Sequence, residues 1–286
     1  MSKISWPENL IEELAYRRAI IFFGSGISAT AKNDSGKSPD TWEMFINNIK
    51  GLMKNPTEED KEFVDNMIAQ ENYLLALQAI NDLSESGMYN KYLKDTYSRA
   101  KYSASEIHKA IKEIDSKIVI TTNFDKIYDN LCKQDGYVTY DYQKTKSIVN
   151  NIKSPESIII KAHGTIDDTE EIIFTAKQYY DAQAKYPEFY SLLHALFLTH
   201  TVVFLGYSMS DPDINLVLQN LSNTSSLACP HYIVIKEGVS KHKLDNWKET
   251  YNIVPLEYGP TYDDLEECVV ELKDLVLGLR EKRNIP

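Results

Sequence analysis

Four segments of the chain place small, amide, imidazole and carboxylate side chains directly after apolar runs. The runs cover 18–23, 117–121, 157–161 and 201–205, and they are followed by Gly24-Ser25-Gly26-Ile27-Ser28-Ala29, Thr122-Asn123-Phe124-Asp125, Ala162-His163-Gly164-Thr165 and Gly206-Tyr207-Ser208-Met209-Ser210-Asp211. Ligands of parallel α/β sheets bind beyond the carboxyl ends of the strands. We therefore expect the four segments to meet in one crevice and to supply the groups that a nucleotide-cleaving site needs.

The first segment has the spacing Gly-x-Gly-x-x-Ala, which after a short β-type run is typical of a dinucleotide-binding unit. Gly24 is expected to make the tight turn, and Gly26 to let backbone N–H groups approach a pyrophosphate. Ala29 is small enough for the next segment to pack on the strand. The backbone over 24–27 and Ser28 are thus candidates for binding phosphate or ribose. No strand with a ribose-binding acid follows at a distance of about 20 residues, which disfavours a dehydrogenase.

The second segment carries an amide and a carboxylate. Asn123 both donates and accepts hydrogen bonds, so it suits the orientation of a ribose hydroxyl or of an attacking water. The alternative is structural, because Asn123 would also cap a helix that begins at Phe124. Asp125 is a candidate for ligand binding, but it is explained equally well as a carboxylate in the first turn of this helix, where the helix dipole favours a negative charge.

The third segment presents a histidine next to a glycine. A histidine side chain can take a proton from a ribose hydroxyl or from water at neutral pH, and we predict that His163 is the general base. Gly164 is expected to leave the ring accessible to substrate at the edge of the crevice. In the fourth segment, Ser208 is a candidate for phosphate or ribose binding. Asp211 is expected to cap a helix that starts at Pro212.

The elements that must hold these segments predict an α/β fold: a Rossmann-like parallel sheet flanked by helices. Apolar β-type runs, among them 232–236 and 253–256, alternate with helical stretches at 176–198, 211–222, 240–250 and 262–282. Shorter runs at 137–140 and 172–174 are expected to be edge strands or hairpins. The stretch 50–112 is helical in pattern, and Thr57 has the signature of a helix cap. We interpret 1–286 as a single domain with a helical insertion at 50–112.

The composition limits the class of protein. The 286 residues are 43% hydrophobic, which is enough for a sizeable core. A formal net charge of −11 argues against a nucleic-acid-coating surface. Cys132, Cys229 and Cys268 lack the spacing of a thiolate zinc site and fit a reducing compartment. The N-terminal residues lack the h-region of a signal peptide, so none is expected, and no apolar stretch reaches the roughly 18 residues of a membrane span. We therefore expect a cytoplasmic protein that binds neither metal nor membrane.

The ordered set Gly24–Ser28, Thr121–Asp125, His163-Gly164 and Gly206–Ser208 resembles the motif set of the sirtuin superfamily. It is most similar to the sirtuin-like domains of bacterial anti-phage defence systems, which hydrolyse NAD+. The resemblance implies NAD+ as the substrate, with Asn123 and His163 as catalytic residues and no metal. It implies an NAD+-binding surface formed by Gly24, Ser25, Gly26, Ile27, Ser28, Thr122, Asp125, Gly206, Tyr207 and Ser208. Asp125 resembles the sirtuin aspartate that contacts the nicotinamide carboxamide.

Three departures from the sirtuin pattern bear on the acceptor of the ADP-ribosyl group. The chain lacks the two Cys-x-x-Cys pairs of the sirtuin zinc module. Thr122 stands where sirtuins have glutamine, and the segment 36–42 lacks the Phe-Arg pair of the motif Gly-x-Pro-Asp-Phe-Arg. These departures disfavour peptide deacylation and favour water as the acceptor. Two alternatives stay open: a zinc-free protein deacylase or ADP-ribosyltransferase, and a nuclease or scaffold subunit with a regulatory NAD+ site.

An enzyme that consumes NAD+ must be held in check, and the 286 residues are expected to leave no room for a fused sensor domain. We therefore expect control by a homo-oligomer, by a partner, or by both. Some relatives act with a HerA-type DNA-translocating ATPase, which is the partner that the resemblance implies. The helical surfaces at 50–112 and 262–282 are the expected contact sites. No direct binding of nucleic acid is expected.

Overall fold

A parallel sheet of seven strands forms the centre of the computed structural model, which describes residues 4–209, 211–224 and 230–286. The strands are β1 Ala19–Phe23, β2 Ile118–Thr121, β3 Val138–Asp141, β4 Ile158–Lys161, β5 Thr201–Leu205, β6 His231–Ile235 and β7 Ile253–Glu257. Their order is β3-β4-β2-β1-β5-β6-β7, and each neighbouring pair is parallel. The predicted Rossmann-like α/β fold class is therefore confirmed. Ser210 and Cys229, which the sequence analysis names, lie outside the described residues.

Helices connect the strands throughout the described ranges. They are α1 Glu8–Ala15, α2 Ser25–Ser28, α3 Trp42–Lys50, α4 Glu58–Ala69, α5 Tyr73–Leu83, α6 Ser86–Leu93, α7 Glu106–Ile114, α8 Ile127–Cys132, α9 Thr145–Ile152, α10 Ala176–Lys185, α11 Pro187–Thr199, α12 Pro212–Thr224, α13 Lys241–Tyr251 and α14 Asp263–Arg283, with a π-helix at Lys94–Arg99 and a 3-10 helix at Tyr142–Lys144. The predicted cap at Thr57 is confirmed as a capping box at the start of α4. The predicted helix at 176–198 is two helices, because Pro187 has no N–H to continue α10 and instead begins α11. Within the described ranges, no helix is long and apolar enough to cross a membrane.

Helices cover both faces of the sheet, as the side chains of β1 show. Ala19, Ile21 and Phe23 lie in a core that α1, α7 and α14 complete. Ile20 and Phe22 lie in the opposite core, which α10, α11 and α12 complete. Alternate side chains of a strand point to opposite faces of the sheet. A strand that is buried on both faces therefore needs the uninterrupted apolar run that the sequence shows.

Helices α3 to α7 lie between β1 and β2 in the chain and share a core of their own. Phe45, Leu77 and Leu93 belong to this core, which also includes Phe124 and Phe174 from the loops after β2 and β4. The helical segment therefore packs against the loops at the carboxyl edge of the sheet. It contributes to the surroundings of any ligand that binds there.

One short strand of the prediction is confirmed and the other is wrong. The run at 137–140 is the edge strand β3, whereas 172–174 lies in a loop after β4. In that loop the backbone N–H of Ile173 donates to the carbonyl of His163 at 3.0 Å. The run is apolar because its three side chains are buried among helices, and not because it pairs with the sheet.

The register of the strands brings the four segments to the same level. Lys161, Thr121, Phe23 and Leu205 form a row of direct partners across β4, β2, β1 and β5. Each is the last residue of its strand, so the segments that follow leave the sheet side by side. Strands β2 to β4 lie on one side of β1, and strands β5 to β7 lie on the other side. The strand order therefore reverses at β1. Ligands of open α/β sheets bind at such a reversal.

Candidate active site

The loops after β1 and β5 touch each other through glycines. The amide of Gly26 donates to the carbonyl of Gly206 at 3.0 Å, and a Cβ on Gly24 or Gly26 would lie 2.8 Å from that oxygen. Gly206 has a φ of +55°, and a Cβ there would lie 2.7 Å from the backbone nitrogen of Ile27. The contact between the loops therefore requires glycine at all three positions. The N–H of Gly26, which we expected to approach a pyrophosphate, is used within the protein.

Asn123 is the centre of a buried hydrogen-bond network at this edge. Its side-chain nitrogen donates to the carbonyl of Gly24 at 2.9 Å and to Oγ of Ser28 at 2.8 Å. Ser28 in turn donates to Oδ2 of Asp125 at 2.6 Å. The side chains of these three polar residues are buried. We call Ser28, Asn123, Asp125 and the Gly24 carbonyl the asparagine network, which joins the loop after β1 to the loop after β2.

The partners determine the direction of each hydrogen bond in the asparagine network. A carbonyl oxygen only accepts, so the nitrogen of the Asn123 amide, and not its oxygen, faces Gly24. An ionised carboxylate also only accepts, so Ser28 donates to Asp125 and accepts from Asn123. Both N–H groups of Asn123 are used in this way. Its Oδ1 is the group that it can offer to a ligand.

The expectation that Asn123 caps a helix is wrong. Helix α8 begins at Ile127, and it is Asp125 whose Oδ1 accepts from the backbone N–H of Ile127, at 2.9 Å. Lys161, which is buried at the end of β4, donates to the carbonyl of Asp125 and lies 3.0 Å from Asp129. Asp125 is therefore held by its side chain and by its backbone. The position of Asn123 has no capping explanation.

A cleft of about 450 Å³ opens beside the asparagine network. Its lining combines loop residues at the sheet edge with residues of the helical segment: Ser25, Ser28, Pro39, Asp40, Phe45, Tyr97, Thr122, Asn123, Phe124 and Asp125. Half of these ten residues are ones that the sequence analysis assigned to NAD+ binding or catalysis.

Part of the cleft comes from the segment between β1 and β2, where no sequence motif predicted a ligand-binding residue. That part includes Asp40, Phe45 and Tyr97. Oδ2 of Asp40 accepts from the hydroxyl of Tyr92 at 2.6 Å and from the side chain of Asn48 at 3.0 Å, so the carboxylate is held in place. Burial and the bond to Asp40 raise the pKa of Tyr92 to about 12. The sequence feature that could have identified Asp40 is the pair Pro39-Asp40, which this segment shares with the sirtuin motif Gly-x-Pro-Asp-Phe-Arg.

His163 is 3% exposed and is not among the residues that line the cleft. The expectation of an accessible ring is therefore wrong. Nδ1 lies 3.3 Å from the hydroxyl of Tyr179, and Nε2 lies 3.1 Å from Oδ2 of Asp211. Gly164 has a φ of +86°, and a Cβ there would lie 2.7 Å from the carbonyl oxygen of Glu171. The glycine thus permits the turn that covers the ring, rather than leaving the ring open.

The predicted residues of the fourth segment divide between core and surface. The ring of Tyr207 stacks on that of Phe204, with centroids 5.5 Å apart. Ser208 is exposed. Asp211 is confirmed as a helix cap, because its Oδ1 accepts from the backbone N–H of Ile214 at 3.2 Å at the start of α12.

His108 on α7 is a buried histidine to which the sequence analysis assigned no role. Its Nδ1 lies 2.8 Å from Oγ of Ser105, at the start of the helix. Burial lowers the pKa of His108 to about 4, although the carboxylate of Asp125 acts in the opposite direction. A neutral histidine therefore stands within electrostatic reach of the asparagine network at pH 7.

The fold and the cleft define a Rossmann-like α/β protein with a candidate ligand site at the reversal of strand order. Comparison with known protein families shows which Rossmann-like proteins this chain is similar to. Residues 117–256 match the model of the SIR2-like domain. The match begins at β2 and includes the segments of Asn123, His163 and Gly206. Over this part of its length the chain is therefore similar to SIR2-like domains.

Several characterised proteins are similar to most of this chain. Defense-associated sirtuin 2 of Bacillus subtilis is 24% identical over 204 residues, which are 70% of this chain and 19% of that protein. NAD(+) hydrolase ThsA of Enterococcus faecium is 24% identical over 215 residues, or 68% of this chain and 44% of the relative. NAD(+) hydrolase ThsA of Bacillus cereus (strain MSX-D12) is 19% identical over 231 residues, or 80% and 45%. The chain spans less than half the length of each of these three relatives.

Proposed function

We propose that this protein hydrolyses the N-glycosidic bond between nicotinamide and ribose in NAD+, which gives nicotinamide and ADP-ribose. The observation that carries the proposal is the asparagine network, which lines a cleft where the strand order reverses. Two relatives named NAD(+) hydrolase support the same reaction.

Asn123 acts in this reaction as an acceptor. Both of its N–H groups are held by Gly24 and Ser28, so Oδ1 accepts a hydrogen bond from the attacking water or from a ribose hydroxyl. An amide that is held on two sides already points its oxygen in one direction before substrate binds. Such alignment lowers the barrier of the reaction more than it strengthens the binding of substrate.

Water supplies the oxygen that replaces nicotinamide at C1′ of the ribose. The C1′–N bond breaks, and its electron pair moves onto the ring nitrogen and neutralises the positive charge of the nicotinamide. The new C1′–O bond forms at an oxocarbenium-like ribose, and the proton that water loses passes to Nε2 of His163 as general base. His163 then releases this proton to solvent. Because the protein buries this ring, substrate binding must let the attacking water reach it.

Two carboxylates of the cleft suit the positively charged nicotinamide ring. Asp125 and Asp40 both line the cleft, and both are oriented by hydrogen bonds from neighbouring side chains. The negative charges favour the cationic ring of NAD+ over the neutral nicotinamide that leaves. Asp125 is also the residue that the likeness to sirtuins assigns to the carboxamide.

The protein serves, on this proposal, to deplete NAD+ in defence against phage, and its activity depends on assembly. The relative named defense-associated sirtuin supports the defence role. Exposed apolar side chains on the helical segment and on α14 support an interface: Phe63 is 41%, Met88 49% and Leu275 40% exposed. These surfaces join copies of the chain or contact a HerA-type ATPase. Size-resolved NADase activity, measured with and without the ATPase, tests this, and full turnover by a dilute monomer would contradict it.

Incubation of the purified protein with NAD+, followed by chromatography of the products, tests the reaction itself. We expect nicotinamide and ADP-ribose in equal amounts without any peptide. A requirement for an acylated peptide would indicate a deacylase, and metal-dependent cleavage of DNA would indicate a nuclease. Hydrolysis is expected to persist in a chelator, because a cationic leaving group needs no Lewis acid. Unchanged NAD+ in the presence of the assembled partner would contradict the proposal.

A further inference from the structure

Three polar side chains meet in a second buried cluster at the carboxyl edge of the sheet, outside the lining of the cleft. The hydroxyl of Tyr179, on α10, lies 3.0 Å from Oδ2 of Asp211 and 3.3 Å from Nδ1 of His163. Nε2 of His163 lies 3.1 Å from the same Oδ2. All three side chains are buried. We call His163, Tyr179 and Asp211 the histidine cluster.

The three contacts of the histidine cluster determine where its protons lie. The carboxylate of Asp211 only accepts, so Tyr179 donates its single hydroxyl proton there. We assign the ring tautomer from the remaining contact: the hydroxyl oxygen accepts from Nδ1 of His163, which then carries a proton. In this neutral tautomer, Nε2 is bare and lies 3.1 Å from a carboxylate oxygen. A second ring proton replaces this repulsion with a charged contact, so all three contacts are satisfied only when the ring is an imidazolium.

Nε2 is the atom of the cluster that can receive a proton. Among the described residues it has no aligned hydrogen-bond partner, although Oδ2 of Asp211 is close. The two oxygens of Asp211 also have separate tasks, because Oδ1 caps α12 and Oδ2 faces His163. The carboxylate is thus held in place by the helix start while its second oxygen serves the ring.

The contact between His163 and Asp211 is made by long-range tertiary structure. β2 and β1 lie between β4 and β5 in the sheet, so the ends of β4 and β5 are about 14 Å apart. The contact between Asp211 and His163 therefore bridges two intervening strands. The role of Asp211 as the cap of α12 does not by itself require this contact with His163.

We propose that Asp211 and Tyr179 are positioning residues that stabilise His163 in its protonated form during the reaction. This inference rests on the proposed function, in which His163 is the general base. When the O–H bond of the attacking water breaks, its electron pair stays on oxygen, and the proton forms an N–H bond at Nε2. The carboxylate of Asp211 stabilises the charge that appears on the ring, and Tyr179 holds Nδ1–H and the ring orientation. The aspartate of a serine-protease triad also stabilises an imidazolium, although there the carboxylate contacts the ring nitrogen that does not take the proton.

The kinetic parameters of the full chain for NAD+ test the proposal. Asp211→Asn keeps an oxygen to cap α12 but removes the charge, and we expect it to lower kcat about 10- to 100-fold with KM changed less than about twofold. Tyr179→Phe keeps the ring and removes the hydroxyl, and we expect kcat to fall roughly 3- to 10-fold. A changed KM with an unchanged kcat in both variants would overturn the proposal.

Two variants serve as matched controls. Tyr142→Phe removes the hydroxyl of another buried tyrosine in the same core, which bonds to Glu171. Asp264→Asn neutralises another buried carboxylate at a helix start, where it accepts from the backbone of Thr261. Both are expected to keep kcat within about twofold of wild type. Thermal unfolding of each variant measures whether the fold is intact, and if Asp211→Asn does not fold, Tyr179→Phe decides.

Nitrogen-15 NMR of the His163 ring separates failure of this proposal from failure of the proposed function, because it needs no turnover. The ring shifts report which nitrogens carry protons, and loss of the signal in His163→Gln assigns it. We expect a protonated Nδ1 whose signal changes in Tyr179→Phe and Asp211→Asn, but not in Tyr142→Phe. Unchanged ring signals and unchanged kcat in both variants would overturn the proposal. Changed signals in a protein that does not cleave NAD+ would support the cluster and refute the proposed function.

Discussion

The asparagine network and the histidine cluster lie at the same edge of the sheet. They differ in whether every hydrogen-bond contact has a proton. In the asparagine network, each of the three side-chain protons described has an acceptor: two from Asn123 and one from Ser28. In the histidine cluster, a neutral ring leaves one of the three contacts without a proton. The first arrangement is complete before the reaction, whereas the second becomes complete when a proton arrives. Rigid orientation and proton uptake are thus assigned to separate networks.

The two networks also differ in exposure, although their residues leave adjacent strands at the same level. Thr121 and Lys161 are direct partners, and Asn123 and His163 each stand two residues beyond them. Asn123 lines the cleft, while the turn at Gly164 folds the chain back over His163. Register therefore determines which residues are neighbours, and the path of each loop determines which of them a ligand meets first.

Removal of the imidazole is expected to have the largest effect. His163→Ala should lower kcat for NAD+ by at least about 100-fold, because the general base is lost. Release of nicotinamide measures kcat, and His242→Ala, at an exposed histidine, is the control. Since His163 is buried, the folded fraction of the variant must be measured by its unfolding transition. Near-wild-type turnover in a folded variant would remove His163 from the mechanism.

Loss of the Asn123 amide should affect orientation more than binding. We expect Asn123→Ala to lower kcat by roughly 10- to 100-fold while the Kd for NAD+ changes less than about threefold. Steady-state kinetics and calorimetric binding measure the two quantities. Asn151→Ala is a matched control, because that amide nitrogen also donates twice, to Tyr140 and Ser147, away from the cleft. Parallel losses of binding and turnover would assign Asn123 to ground-state binding instead.

Gly206 is the point at which one substitution disturbs the loops of both networks. Gly206→Ala places a Cβ 2.7 Å from the backbone of Ile27 at a φ of +55°, and we expect it to lower the free energy of unfolding by about 2 kcal/mol. Gly238→Ala is the control, because Gly238 also has a positive φ but a Cβ there meets nothing within 4 Å. That variant should lose about 1 kcal/mol. Equal losses in urea unfolding would show that the contact between the loops contributes nothing.

The neutral histidine near the asparagine network predicts a smaller, pH-dependent effect. Burial lowers the pKa of His108 and of His231 to about 4, whereas unfolded histidine titrates near about 6.5. Below pH 6.5 the unfolded chain binds more protons, so stability is present above that pH and is lost as the pH falls toward 4. Between pH 7 and pH 6 the free energy of unfolding should decrease by roughly 1 kcal/mol through these two groups. Urea unfolding of His108→Gln should show a smaller decrease, and an equal decrease would contradict the assignment to His108.

The strands could be predicted from the sequence because their signal is local. β1 and β5 are five-residue runs that are buried along their whole length, and the predicted bounds differ from the observed ones by at most one residue. The same signal fails at 172–174, because an apolar run indicates burial and not the kind of neighbour that buries it. The division of the chain into one domain with an insertion at 50–112 stays a prediction.

The candidate site was predictable where its residues directly follow strands. Ser28, Asn123 and Asp125 were identified in this way, and the structure joins them in one network. Asp40 and Tyr97 were not identified, since they come from a region whose pattern indicates helices and loops but no ligand. Their place in the cleft results from the packing of the helical segment on the loops after β2 and β4.

Local patterns were enough to predict the parallel sheet, the order of the four segments and the resemblance to sirtuins, because apolar runs and motif residues are properties of neighbours in the chain. Three-dimensional packing was needed to show that His163 is covered, that Asn123 uses both of its N–H groups, and that Asp211 reaches His163. These contacts join residues up to about a hundred positions apart. Their geometry depends on strand register and on the paths of loops between strands, which no local pattern specifies.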